Sequence, residues 1–287
     1  MNRRSFLTVL IGTPALAALV AACGDDSVQS NQQGNDSPGS GGYAVATDAD
    51  AMVLRIGYEG GFTTPGSQFI HAPTLLIAGD GRTFTQGATT LQYPGALLPA
   101  IIEGSITADG IQKVLKLADL AGLLGAIPDY SSPGDALIAD APDTVVTLTL
   151  NGVTYEHRVY ALGMDSPDGG ASTPARESLQ EFVELLVNLP TAVGVENVDD
   201  GGPIVAENYR FQAMVVDPTQ WAEPSPTIVA WPAETRVVLA DSTECATVPA
   251  VKVDALFASA TQLTFFEEND LVYQLAVIAS LPGDEVC

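Results

Sequence analysis

An α+β fold, antiparallel hairpins accompanied by about three amphipathic helices, is what this 287-residue sequence predicts. Three observations carry that expectation. Apolar residues recur at helical spacing in three separate stretches. Runs of β-branched and aromatic residues flank Gly, Asn and Asp turns. Helices and strands also come in blocks, which argues against a doubly wound parallel sheet built on strict strand–helix alternation.

The elements follow in chain order. Met52 to Tyr58 reads as a strand. Thr74 to Ala78, the turn Gly79-Asp80-Gly81 and Arg82 to Phe84 read as a hairpin. Thr107 has the side chain and position of an N-cap, with Ile111, Val114, Leu115 and Ala118 on one face of the helix that follows. Thr144 to Leu150 and Val153 to Leu162 flank Asn151-Gly152, a pair suited to a type I′ turn. Thr173-Pro174 opens a second helix with Leu179, Phe182, Val183 and Leu186 aligned, and Pro190 ends it. The acidic, Gly-rich stretch Asn197 to Pro203 marks a subdivision near 190–205. Beyond it come a strand from Tyr209 to Val216 and short strands at Thr227 to Trp231 and Arg236 to Leu239. A third helix starts at Pro249, with Val253, Leu256, Phe257 and Ala260 on one face. Gln262 to Phe266 and Leu271 to Ile278 close the chain as a hairpin around Glu268-Asn269-Asp270. A helix followed by a hairpin thus occurs twice, suggesting two similar halves, although the residues themselves do not align.

Charge sets the first functional limits. With 35 acidic and 11 basic residues the net charge is -24, while hydrophobic residues make up 46%, as in an ordinary globular protein. That hydrophobic content excludes a wholly disordered acidic chain. So negative a field repels phosphate backbones and anionic headgroups, which argues against nucleic-acid partners and polybasic membrane attachment.

The amino terminus carries an address. Asn2-Arg3-Arg4 is a basic start, Phe6 to Val20 is apolar, and Ala21-Ala22 are small residues ahead of Cys23. The apolar run is broken by Gly12, Thr13 and Pro14, and it is short for a span that needs about 20 apolar residues. Val20-Ala21-Ala22-Cys23 resembles the lipobox of bacterial lipoproteins. That resemblance implies lipidation of Cys23, cleavage before it, and attachment to the outer face of the cell membrane. Two acyl chains hold a protein stably, whereas one holds it marginally. Arg3-Arg4-Ser5-Phe6-Leu7 also resembles a twin-arginine export motif, with Asn2 and Thr8 departing from the usual residues. Cleavage removes Arg3 and Arg4 and no acid, taking the net charge to -26. The expected organisation is a signal peptide over 1–22, a lipidated, Gly/Ser/Asn-rich tether over 23–50 and one body over 51–287. A flexible chain of the tether's length reaches roughly 30 Å.

In an oxidising compartment the other two cysteines, Cys245 and Cys287, form an even pair and are expected to be bridged. The bridge closes a loop of roughly 40 residues and contributes on the order of 4 kcal/mol in the chain-entropy model.

Catalytic signatures are scarce. The sequence lacks a His-Glu-x-x-His, a Cys-x-x-Cys, a Gly-x-Ser-x-Gly elbow and a phosphate loop. His71 and His157 read as structural or half-exposed histidines. Acidic pairs in loops, Asp140 with Asp143, Asp165 with Asp168, Asp199 with Asp200, and Glu267-Glu268 with Asp270, raise the question of calcium. Asp165-Ser166-Pro167-Asp168-Gly169-Gly170 is the best candidate, against solvated turn residues as the plain alternative. Trp221 and Trp231 flank Glu223-Pro224-Ser225-Pro226, a pattern that suits loop packing or a shallow ridge beside sugar-cleaving carboxylates. Taken together, the residues point to an extracytoplasmic binding or envelope-structural module whose partner is an envelope protein or a glycan. The alternative is an envelope hydrolase using acidic residues with calcium assistance.

Overall fold

Two β-sheets dominate the chain. The computed structural model describes residues 42–64, 66–131, 138–164, 172–221, 223–285 and 287. The export motif Arg3-Arg4, the lipobox and Cys23 lie outside them, as do Asp165 and Asp168. Chain order begins with β1 (Met52–Gly60), β2 (Leu75–Ala78), β3 (Arg82–Gln86) and β4 (Ile101–Ile106). Helix α1 (Ala108–Leu120) leads to the hairpin β5 (Pro142–Leu150) and β6 (Val153–Tyr160), then to α2 (Pro174–Val187) and the short α3 (Leu189–Val193). After β7 (Val198–Pro203) come β8 (Asn208–Val215), β9 (Thr227–Ala230), β10 (Ala246–Pro249), α4 (Ala250–Ser259), β11 (Thr264–Glu268) and β12 (Leu271–Ala279).

The first sheet has seven strands in the order β6-β5-β1-β2-β3-β4-β7, and every pairing in it is antiparallel. The second has five in the order β10-β8-β12-β11-β9, with β9 running parallel to β11. The alternation of strand side chains divides the core in two. Leu75 and Ile77 of β2 join Val53, Ile56, Val146 and Leu148 beneath the apolar faces of α1, α2 and α3. Leu76 and Ala78 point the other way and, with Phe84, join Phe211, Val277, Ile278 and Phe257 in the second core.

These facts correct the α+β expectation. The protein is mostly β, two sheets with four α-helices among the described residues, and not a helix-rich fold built around three amphipathic helices. Those helices do form at the predicted spacing, but as covers for sheet faces. Thr107 caps α1 by accepting a hydrogen bond from the Gly110 amide at 3.1 Å, and Thr173 caps α2 at the Arg176 amide. Strands β4, β7 and β10 account for most of the missing sheet. Strand β7 was hidden because Asn197 to Pro203 has the composition of a loop. Its glycines serve close approach instead, since a Cβ on Gly201 would fall on the Glu103 carbonyl of β4. Arg236 to Leu239, expected as a strand, is irregular.

The two α-then-hairpin units are not topological copies. In the first, β1 pairs with β5, the leading strand of the hairpin. In the second, β8 pairs with β12, the trailing strand. Cys245 and Cys287 are joined as a disulfide with Cα atoms 5.2 Å apart. Tyr43, ahead of β1, is already held against α1. Its amide donates to Gln112 Oε1, its carbonyl accepts from Gln112 Nε2, and its hydroxyl donates to Asp119.

A candidate binding cleft without charge

A cleft of about 490 Å³ opens between two loops of the first sheet, one joining β1 to β2 and the other joining β3 to β4. That is within the range of small-ligand sites, roughly 300–1,000 Å³. Tyr58, Ser67, Ile70, His71 and Ala72 form one wall. Gln86, Ala88, Thr89, Thr90 and Gly95 to Ala100 form the other, and Gln262 closes one side. Among the described residues no Asp, Glu, Lys or Arg lines it. The cause is legible in the chain, which carries no Asp, Glu, Lys or Arg from Gly60 to Gly79, nor again from Thr83 to Ile102. In a molecule with a net charge of -24, both cleft-forming loops are free of charged residues.

Each wall is braced. Gln68 holds the first loop at its neck, accepting from the Gly60 amide and donating to the Gly60 carbonyl at 2.7 Å and to Thr63 Oγ1 at 2.9 Å. Phe69 lies beneath the Arg210 guanidinium, 5.2 Å from ring centroid to cation. Arg210 in turn pairs with Asp284 at 2.8 Å, and Asp284 pairs again with Arg55 at 3.0 Å. The second loop is closed at its base by the Gly87 amide donating to the Ala100 carbonyl at 2.8 Å. Its far end is pinned to the segment before β11, where Leu97 N–H donates to Ala260 and Gln262 N–H donates to Gly95. Between these clamps the span from Ala88 to Tyr93 is exposed, and its amides donate to no group among the described residues. Leu91 is fully exposed, and Tyr93 is 64% exposed and Tyr58 48%. Of these three, Tyr58 lies on the cleft wall.

The strongly perturbed titratable groups lie elsewhere and have structural work to do. His157 is fully buried, and burial holds its pKa below the ordinary imidazole value. Its Nε2 faces the Leu123 carbonyl at 2.9 Å, an acceptor only, so Nε2 carries the hydrogen and Nδ1 accepts from the Tyr130 hydroxyl at 2.7 Å. Burial pushes the Tyr130 hydroxyl up to about 12. Tyr209 is likewise raised, by burial and by its 2.6 Å hydrogen bond to Asp254.

The residues singled out from sequence therefore separate. His157 is a core residue, while His71 is exposed on the cleft wall with Nδ1 3.3 Å from the Tyr58 carbonyl. Trp231 is buried against Phe211 and Phe266, and Trp221 packs edge-on to Phe265 at 4.9 Å, so the tryptophans do not form an open ridge. No group of three or more His, Cys, Asp or Glu able to hold a metal occurs among the described residues. Glu59 and Glu156 border a smaller adjoining cavity, and both lie against Arg158, at 2.6 and 3.5 Å. Gln86, Thr89, Thr90 and Gln262 were not anticipated as site residues. The charge-free run from Thr83 to Ile102 was the signal that could have found the first three, whereas nothing local marks Gln262. No helix among the described residues is long and apolar enough to cross a membrane. No family model, curated protein or solved structure matches the chain.

Proposed function

We propose that this is a lipid-anchored, extracytoplasmic binding protein that takes an uncharged ligand in the cleft between the β1–β2 and β3–β4 loops. One observation carries the reading of the site: a concavity lined without Asp, Glu, Lys or Arg among the described residues, with the exposed Tyr58 ring on its wall, on a strongly acidic body. Coulomb repulsion from that body disfavours anions, and the described lining offers a cation no carboxylate to pair with. A neutral ligand meets neither obstacle. The anchoring rests on Val20-Ala21-Ala22-Cys23, and the polar residues between Cys23 and Gly42 supply the tether.

Two experiments test it. A library of neutral, anionic and cationic fragments is screened by amide chemical shifts on the body beginning at Gly42. Neutral fragments should shift amides within 60–74 and 86–100. Hits that cluster elsewhere, or that are mainly charged, would refute the site. For the anchor, cells are labelled with a palmitate analogue, and Cys23→Ser should abolish labelling. Undiminished labelling would sink the lipoprotein assignment.

A further inference from the structure

We infer that the ligand of this cleft is a neutral glycan, an inference that rests on the cleft being the binding site. The lining alternates two kinds of group. Ala72, Ala88, Ala96, Ala100 and Leu97 offer small apolar contacts, while Gln86, Thr89, Thr90, Ser67 and Gln262 offer side chains that both donate and accept. Gln86, Thr89 and Thr90 are exposed, and their side chains are bonded to nothing among the described residues. Sugar rings present the same alternation, an apolar C–H face edged by hydroxyls that are themselves both donors and acceptors. Tyr58 adds an exposed ring on the wall, an apolar face with a polar tip, suited to stack against such a face. Charge decides between glycan classes. Uronic-acid or phosphate-bearing chains would approach a body of net charge -24 with no Lys or Arg among the described residues of the cleft to receive them.

The test is calorimetric titration of the protein with neutral hexasaccharides of glucose, mannose and N-acetylglucosamine, with a polygalacturonate oligomer as the charged comparison. An uncharged hexapeptide of Ala, Ser, Leu and Tyr is the competing ligand class. At least one neutral hexasaccharide should bind, and Tyr58→Ala, a change on the cleft wall at a residue 48% exposed and outside both cores, should weaken it about tenfold or more. Val187→Ala, exposed on α2 across the first sheet, should leave affinity unchanged. Equal binding of polygalacturonate, or equal loss in both variants, overturns the inference. If neutral fragments shift the cleft amides but no hexasaccharide binds, or if the peptide binds there instead, the glycan class is wrong while the cleft stands. If neither fragments nor sugars bind, both readings fail.

Discussion

Replacing Tyr130 by Phe removes one oxygen atom from a place where water cannot substitute for it. The hydroxyl donates to His157 Nδ1 at 2.7 Å; His157 is fully buried and Tyr130 is 7% exposed. The ring of Phe fills the same space, so packing changes little. The Tyr130 carbonyl still accepts from Arg176 Nη1 at 2.9 Å. What is lost is the one partner of Nδ1 among the described residues, since Nε2 is already committed to Leu123. A buried acceptor left unsatisfied costs about 1–3 kcal/mol. For a chain of this size each kcal/mol lowers Tm by about 2–4 °C, so a mid-range loss of about 2 kcal/mol predicts a fall of roughly 4–8 °C. Thermal unfolding by circular dichroism measures it, and a Tm within about 1 °C of the parent would refute the reasoning. The same pair predicts a pH response of definite sign. Burial depresses the folded-state pKa of His157, with the Leu123 hydrogen bond opposing. As pH falls below the unfolded value of about 6.5, the unfolded chain takes up a proton that the folded one refuses. Stability is therefore full above that pH and declines on acidification, by at most about 1.4 kcal/mol per pH unit. Between about pH 6.5 and 5.5, above the range where carboxylates titrate, His157→Gln should flatten this decline. Parallel slopes for the two proteins would show that His157 is not its source.

Three further outcomes follow from contacts outside the cleft. Asp284, 9% exposed and shared by Arg55 and Arg210, should cost about 3 kcal/mol or more when changed to Asn, read as a lower urea midpoint; an unchanged midpoint would make the double pairing ornamental. Replacing both Cys245 and Cys287 by Ser opens a loop of sequence separation 42, and should cost about 4 kcal/mol in denaturant melts run without reductant. Thr107→Ala removes the cap of α1 and the 2.7 Å donation to Asn197 Oδ1, for an expected loss of about 1–2 kcal/mol, with a Tm equal to the parent's as the contrary result.

Local chemistry was legible from sequence wherever a short stretch determines its own conformation. Asn151-Gly152 and Asn269-Asp270 all have positive φ, as tight hairpin turns require. Thr107 and Thr173 cap the helices whose apolar spacing had placed them. Strands β4, β7 and β10 were missed because their membership is conferred by partners. A segment as polar as Val198 to Pro203 becomes a strand only because β4 presents a free edge to it. The three longer helices were found, though not the short α3 around Pro190, and their standing was misjudged, because a helical face records that it is covered and not how much sheet lies beneath it.

The sequence by itself determined the net charge, the turns, the helix caps and the amino-terminal motif, all properties of residues and their near neighbours. It also held the two runs without charge, Gly60–Gly79 and Thr83–Ile102, as unexplained stretches. Only the tertiary structure set their loops against each other as the two walls of one cleft, because β1 to β4 are joined through successive antiparallel pairings. Likewise it alone buried His157 and left His71 on a wall, a distinction set by what packs over each ring. Spacing along a chain fixes local geometry, whereas a binding surface depends on which distant segments the sheet brings side by side.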